Sequence, residues 1–218
     1  MTKPVGVTRF LGTNCDQDVF DAVESVGLKA KWLWYQDQFD PNEYSAVVLP
    51  GGFSYGDYLR CGALAARSPV MKSVSEAANR GLPVLGICNG FQILCEARLL
   101  PGALMRNSGL RFRDGWVQLK KQNSSPYFAA KVGRSLNLPI AHGEGRYFIE
   151  EDQLKKLFDD EQVWWVYENN PNGSVENIAG VMNEKKNVAG LMPHPERAMA
   201  EFMGSVDGKE FFASLLQR

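Results

Sequence analysis

The sequence predicts an α/β protein with an open, mostly parallel central sheet and helices on both of its faces. Three observations point there. In the first half of the chain, short apolar runs alternate with helix-like segments, the pattern of βαβ units. The second half is richer in strand-like runs, separated by Asn-Gly and Lys-rich turns. The length, 218 residues, suits one large α/β domain spanning 1–218, with no repeat, low-complexity tract or linker.

Each element follows in order. Residues 5–11 read as a strand, and a helix over 16–26 starts at the acidic Asp16. Residues 30–35 and 46–49 read as the next strands, the latter stopped by Pro50-Gly51-Gly52. A helix fits 69–79, a buried strand fits 83–87, and 91–97 has helical character. Beyond these, strands are expected over 116–120, 138–141, 146–149, 162–167, 178–182 and 188–192, with a closing helix over 209–216. Right-handed crossovers restrict how such units wind, and helices on both faces would cover the sheet.

Composition excludes several functions. Hydrophobic residues make up 44% and charged residues 22%, ordinary for a soluble globular protein. Lys+Arg 24 against Asp+Glu 25 leaves a net charge of -1, with no basic patch for nucleic acid. No apolar stretch approaches a membrane span. The first ten residues lack a secretory pattern. The four cysteines, Cys15, Cys61, Cys88 and Cys95, show no C-x-x-C spacing, so neither a zinc site nor a disulfide framework is expected. A cytoplasmic protein with reduced thiols is the expectation.

The chemistry concentrates at Gly86-Ile87-Cys88-Asn89-Gly90-Phe91-Gln92, where an apolar strand runs into G-x-C-x-G and then a helix. This is the cysteine form of a nucleophile elbow. Gly86 and Gly90 remove side chains where strand and helix approach. The turn presents Cys88 at the carboxyl end of the sheet, with the positive end of the helix dipole aimed at it. The backbone N–H of Asn89 is placed to hold an oxyanion. A buried core cysteine beside a glycine is the alternative, so the motif needs a base.

Two histidines are available. His142 lies in Ala141-His142-Gly143-Glu144-Gly145 and His194 in Pro193-His194-Pro195-Glu196. Both follow an apolar strand, and both carry a glutamate two residues on that could orient the imidazole. Pro193 and Pro195 stiffen the second site, a slight preference only. The loop Pro50-Gly51-Gly52 follows a strand on the same sheet edge, and Gly52 is a candidate second oxyanion donor. No G-x-x-x-x-G-K-[ST] phosphate loop and no third glycine of a dinucleotide fingerprint occurs, so no cofactor is expected in this chain.

Together these segments resemble the class I (triad) glutamine amidotransferases, which place a Cys-His-Glu triad on an open, flavodoxin-like α/β sheet. Gly12-Thr13-Asn14-Cys15-Asp16, the run from Gly51 to Ala63, Ala141–Gly145 and Met192–Ala198 look, more narrowly, like the glutaminase subunits of the phosphoribosylformylglycinamidine synthases. The resemblance runs nearly end to end and is weakest over Gly109–Arg134. It implies Cys88 as nucleophile, His194 as base and Glu196 as its orienting group. Gly52 and Asn89 would hold the oxyanion, and Gln92 would help bind glutamine. His142 and Glu144 would then border the substrate or an ammonia path at a partner interface. Cys15, Cys61 and Cys95 are expected to be structural. The family further implies ammonia transfer to a synthetase subunit that binds ATP and Mg and makes formylglycinamidine ribonucleotide in purine biosynthesis, with a small accessory subunit. Two rivals are weaker. A hydrolase or chaperone of the intracellular-peptidase superfamily often has histidine directly after the cysteine, where this chain has Asn89. A non-catalytic binding subunit would not need all of Cys88, His194 and Glu196.

Overall fold

Residues 3–128 and 135–216 are described by a computed structural model, so positions 129–134 of the least recognised stretch lie outside it. The first strand, β1 (Val5–Arg9), leads to α1 (Asp16–Ser25) and β2 (Ala30–Trp34). Helix α1 turns Val19, Ala22 and Val23 into the core and stops at Gly27, whose φ of 85° takes the chain out of the helix. Then come β3 (Ala46–Leu49), α2 (Pro69–Asn79), β4 (Val84–Ile87) and α3 (Asn89–Glu96). Pro69 opens α2 with its φ preset for a helix, and Gly81 with φ 86° follows its end.

The second half holds β5 (Ala103–Met105), β6 (Arg113–Lys121), β7 (Leu136–His142), β8 (Arg146–Phe148), α4 (Glu151–Asp159), β9 (Val163–Tyr167), β10 (Ile178–Met182), β11 (Val188–Leu191) and α5 (Lys209–Ala213). Two of these were not expected from the sequence. Helix α4 carries only a narrow apolar stripe, Leu154, Leu157 and Phe158, in an otherwise charged segment. Strand β5 is three residues long and pairs with β8 in a separate two-stranded sheet. The expected helix over 209–216 is α-helical only to Ala213 and tightens into a 3₁₀ turn over Ser214–Leu216.

Among the described residues nine strands form the main sheet, in the order β2-β1-β3-β4-β11-β10-β9-β6-β7. From β2 to β11 every pairing is parallel, and from β11 to β7 every pairing is antiparallel. Strands β3, β4, β10 and β11 are buried at every residue, which explains their unbroken apolar runs. Edge strand β7 alternates buried and half-buried residues instead, and it tolerates Pro139 because an edge strand has a free side. The connection β1-α1-β2 runs toward one edge and β3-α2-β4 toward the other. Right-handed crossovers therefore put α1 and α2 on opposite faces. Strand order reverses at β1, and the carboxyl ends of β1, β3, β4 and β11 lie side by side there, the usual ligand position in such sheets.

Candidate active site

Cys88 sits between β4 and α3 with φ 50° and ψ -106°, a conformation that side-chain-bearing residues rarely adopt. Its backbone N–H donates to the Leu191 carbonyl at 2.8 Å, tying the turn to β11. Gly86 and Gly90 are needed as expected. A Cβ at Gly90 would stand 2.0 Å from the Leu49 carbonyl oxygen, and one at Gly86 would stand 2.7 Å from the Gly90 carbonyl oxygen. The strain at residue 88 is of the order 1–3 kcal/mol. Cys88→Gly should therefore be about 1–2 kcal/mol more stable than Cys88→Ala, although both lack the thiol. Equal denaturation midpoints for the two would show that the turn is not strained.

His194 enters from β11. Its N–H donates to Pro139 O at 2.8 Å, and the 3₁₀ turn Pro195–Arg197 brings Glu196 back beneath the ring. His194 Nδ1 lies 2.6 Å from Glu196 Oε1, and both residues are buried, with 2% exposure each. Burial disfavours the charged ring, but the carboxylate of Glu196 and then Cys88 outweigh it, so the imidazole pKa is held well above its usual value. The Cys88 side chain is close enough to act electrostatically on the same ring, and its Sγ reaches the Ala141 carbonyl at 3.9 Å. Nε2 has no hydrogen-bond partner among the described residues. A Cβ placed on Gly51 would meet His194 Cε1 at 2.7 Å, Cys15 Sγ at 3.3 Å and Cys88 Cβ at 3.3 Å, so these side chains converge on the bare α-carbon of Gly51.

His142 is a different kind of residue. Its Nδ1 faces Asn107 Oδ1 at 3.1 Å and its Nε2 faces Asn172 Nδ2 at 3.5 Å. Asn107 also donates to the carbonyls of Arg111 and His142 and accepts from Gly145 N–H, while Asn172 donates to Gly145 O. The imidazole thus ties three loops together. Burial, reinforced by charge on His194, pushes its pKa down to about 4, so it is neutral at pH 7. Sequence left the two histidines nearly equivalent; in the structure His142 is taken up by Asn107 and Asn172, whereas His194 keeps a free Nε2 and feels the charge of Cys88.

The remaining candidates form the walls. Asn89, first in α3, has a backbone N–H without an intrahelical acceptor. Its side chain accepts from Ser54 N–H at 3.2 Å and donates to Gln92 Oε1 at 2.8 Å. Gln92 Nε2 donates to Glu144 O at 2.6 Å, so both ends of its amide are engaged within the protein. Gly52 adopts φ 140° and bridges to Thr13, where a Cβ would lie 2.7 Å from Asn14 N. Glu144 is partly exposed and faces Arg106 at 3.5 Å. Burial, then Asp57, raises the Cys61 thiol above its ordinary range, and burial does the same to Cys95, which leaves both poor nucleophiles. Cys15 is buried as expected, yet it lies against the catalytic candidates, with Arg197 Nη2 donating to its sulfur at 3.2 Å. Sequence reasoning missed Gly51, Asn107, Asn172 and Arg197; of these only Gly51 had a signal, its place in the strand-ending Gly-Gly pair.

The architecture has known counterparts. The chain is similar to PurLQS from Thermotoga maritima, with 44% identity, 99% of this chain and 98% of that chain covered, and a TM-score of 0.90. Its fold is also similar to a putative GMP synthase subunit from Thermoplasma acidophilum, with 14% identity, 99% and 93% covered, and TM-score 0.67. A glutamine amidotransferase from Thermotoga maritima shares the fold at 19% identity, 100% and 98% covered, and TM-score 0.62. Residues 2–211 match the model of the CobB/CobQ-like glutamine amidotransferase domain, and the chain belongs to that family.

Proposed function

We propose that this chain is the glutaminase subunit of a phosphoribosylformylglycinamidine synthase, working through Cys88, His194 and Glu196. The observation that carries the chemistry is the buried His194, bonded to Glu196 through Nδ1, with Nε2 left free and Cys88 close enough to raise its pKa. The 44% identity to PurLQS over 99% of the chain supports the complex.

Cys88 gives its proton to His194 and attacks the side-chain amide carbon of glutamine. Glu196 holds the ring in place and stabilises the imidazolium. The N–H groups of Asn89 and Gly52 hold the oxyanion. His194 returns the proton to the leaving nitrogen, and ammonia departs. Water, deprotonated by the same ring, cleaves the glutamyl thioester to glutamate and the free thiol. Gln92 keeps the loop carrying Glu144 over α3, and its amide exchanges one of those bonds when it contacts glutamine. The ammonia goes to a synthetase subunit, which holds the ATP and Mg and works with a small accessory subunit. This chain acts as one domain and needs no cofactor of its own. Among the described residues no helix is long and apolar enough to cross a membrane, and we place the reaction in the cytoplasm, where thiols stay reduced.

Treatment with 6-diazo-5-oxo-norleucine, a glutamine-like affinity label, followed by peptide mass spectrometry tests this reading. Modification is expected at Cys88 alone, and absence of labelling with and without the synthetase subunit would overturn it. Glu144 and His142 border the ammonia path in this reading. Glu144→Ala is then expected to lower the stimulation of glutaminase by the partner several-fold, and unchanged stimulation would remove Glu144 from that role.

A further inference from the structure

Cys15 stands outside the mechanism, yet its sulfur lies where three metal-ligating side chains meet. Cys15 Sγ, a ring nitrogen of His194 and a carboxylate oxygen of Glu196 all lie within 4.8 Å of one another, and all three residues are buried. The carboxylate oxygen Oε2 of Glu196 has no hydrogen-bond partner among the described residues, and the nitrogen of His194 on the same side as that carboxylate is Nδ1. A buried carboxylate oxygen without a partner is costly and rare, and it calls for a physical explanation. One thiol, one imidazole and one carboxylate is a donor set suited to a borderline-soft divalent cation such as Zn²⁺ or Cd²⁺.

The surroundings fit capture as well. The N–H of Cys15 donates to Gly51 O at 3.3 Å, which fixes the residue at the start of α1. Arg197 Nη2 donates to its sulfur and Arg197 Nε to Asp18 Oδ2 at 3.1 Å. A metal-bound thiolate keeps lone pairs that accept such a bond, and outer N–H donors of this kind orient metal ligands. The guanidinium adds positive charge, which works against a cation, and ligation by two anionic groups offsets it.

We propose that Cys15, His194 and Glu196 form an inhibitory site for a thiophilic divalent cation, built on two members of the catalytic triad. Binding releases the thiol proton of Cys15; the cation replaces the proton on Nδ1 of His194, leaving the neutral ring protonated on Nε2, and takes a lone pair of Glu196. The ring can then neither accept the Cys88 proton nor be held by Glu196, so glutamine hydrolysis stops until the metal is removed. The proposal rests on the triad assigned above. It makes Cys15 the residue that couples glutamine hydrolysis to free metal while leaving the metal-free reaction intact.

The test uses the full, reduced, metal-free chain titrated with Cd²⁺, read by the thiolate-to-metal charge-transfer absorption in the ultraviolet. Wild type and Cys88→Ser should each take up one tight equivalent with this absorption. Cys15→Ser should lose it, its half-saturation rising by more than about 100-fold, beyond the cost of losing a group that only orients a ligand. Cys15→Ala gives the same comparison if the serine variant folds poorly. Unchanged tight binding in the Cys15 variants, or no tight equivalent in wild type, overturns the metal site. Labelling of metal-free protein at Cys88 reads the glutaminase assignment separately, and Cd²⁺ should block that label in wild type but not in Cys15→Ser. Equal blocking in both would place the metal on Cys88 instead and sink the proposal.

Discussion

His194→Ala is expected to lower glutamine turnover by about 10³-fold or more, whereas His142→Ala leaves the intrinsic reaction measurable. The two residues share a local pattern, so the contrast tests geometry alone. His194 presents an unpaired Nε2, feels the charge of Cys88 and is held by Glu196 through Nδ1. Removing it leaves the nucleophile without a proton acceptor and the amide without a proton donor. His142 already spends both nitrogens on Asn107 and Asn172. Its loss should appear as stability instead, about 1–3 kcal/mol from buried amides left without partners. Steady-state glutaminase assays and thermal denaturation of both variants check this. Turnover abolished in His142→Ala but kept in His194→Ala would overturn the triad.

Gly51→Ala should cost about 10²-fold in turnover with little change in folding stability. The backbone at Gly51 is outside the left-handed region, so alanine meets no conformational penalty. The new methyl instead stands 2.7 Å from Cε1 of His194 and 3.3 Å from Cys88 Cβ. It must push the imidazole away from the thiol, and displacements of about 1 Å between reacting groups cost that much. Gly52→Ala is the contrasting case. Its φ of 140° and a contact of 2.7 Å with Asn14 N predict a loss of stability as well. Thermal midpoints measured beside kcat separate the two, and wild-type turnover in Gly51→Ala would refute the close approach.

The catalytic candidates were legible because their signal is local. Gly86, Cys88 and Gly90 write the elbow within five residues, and His194 and Glu196 are two apart. The parallel half of the sheet was legible for a similar reason, since β3, β4 and β11 are buried on both sides and read as unbroken apolar runs. The choice between His142 and His194 was not legible from pattern alone. It depends on Asn107 and Asn172, which lie 35 and 30 residues from His142 and meet it only through packing. The part played by Cys15 was hidden likewise, because its neighbours Gly51, His194 and Arg197 come from other loops. Helix α4 was missed because one narrow apolar stripe is weak against so many charges.

Strand β11 comes late in the chain, yet it lies in the middle of the sheet, between β4 and β10. During synthesis the ribosome therefore releases Cys88 about 100 residues before His194. A growing chain holds a thiol on an unfinished sheet, with the edge of β4 still open. Only when β11 zips into that gap do His194 and Cys88 come near each other. Such long-range parallel pairing is slow compared with local folding. In the reading proposed above, the order of the strands thus acts as a timer: glutamine hydrolysis waits until β11 has entered the sheet.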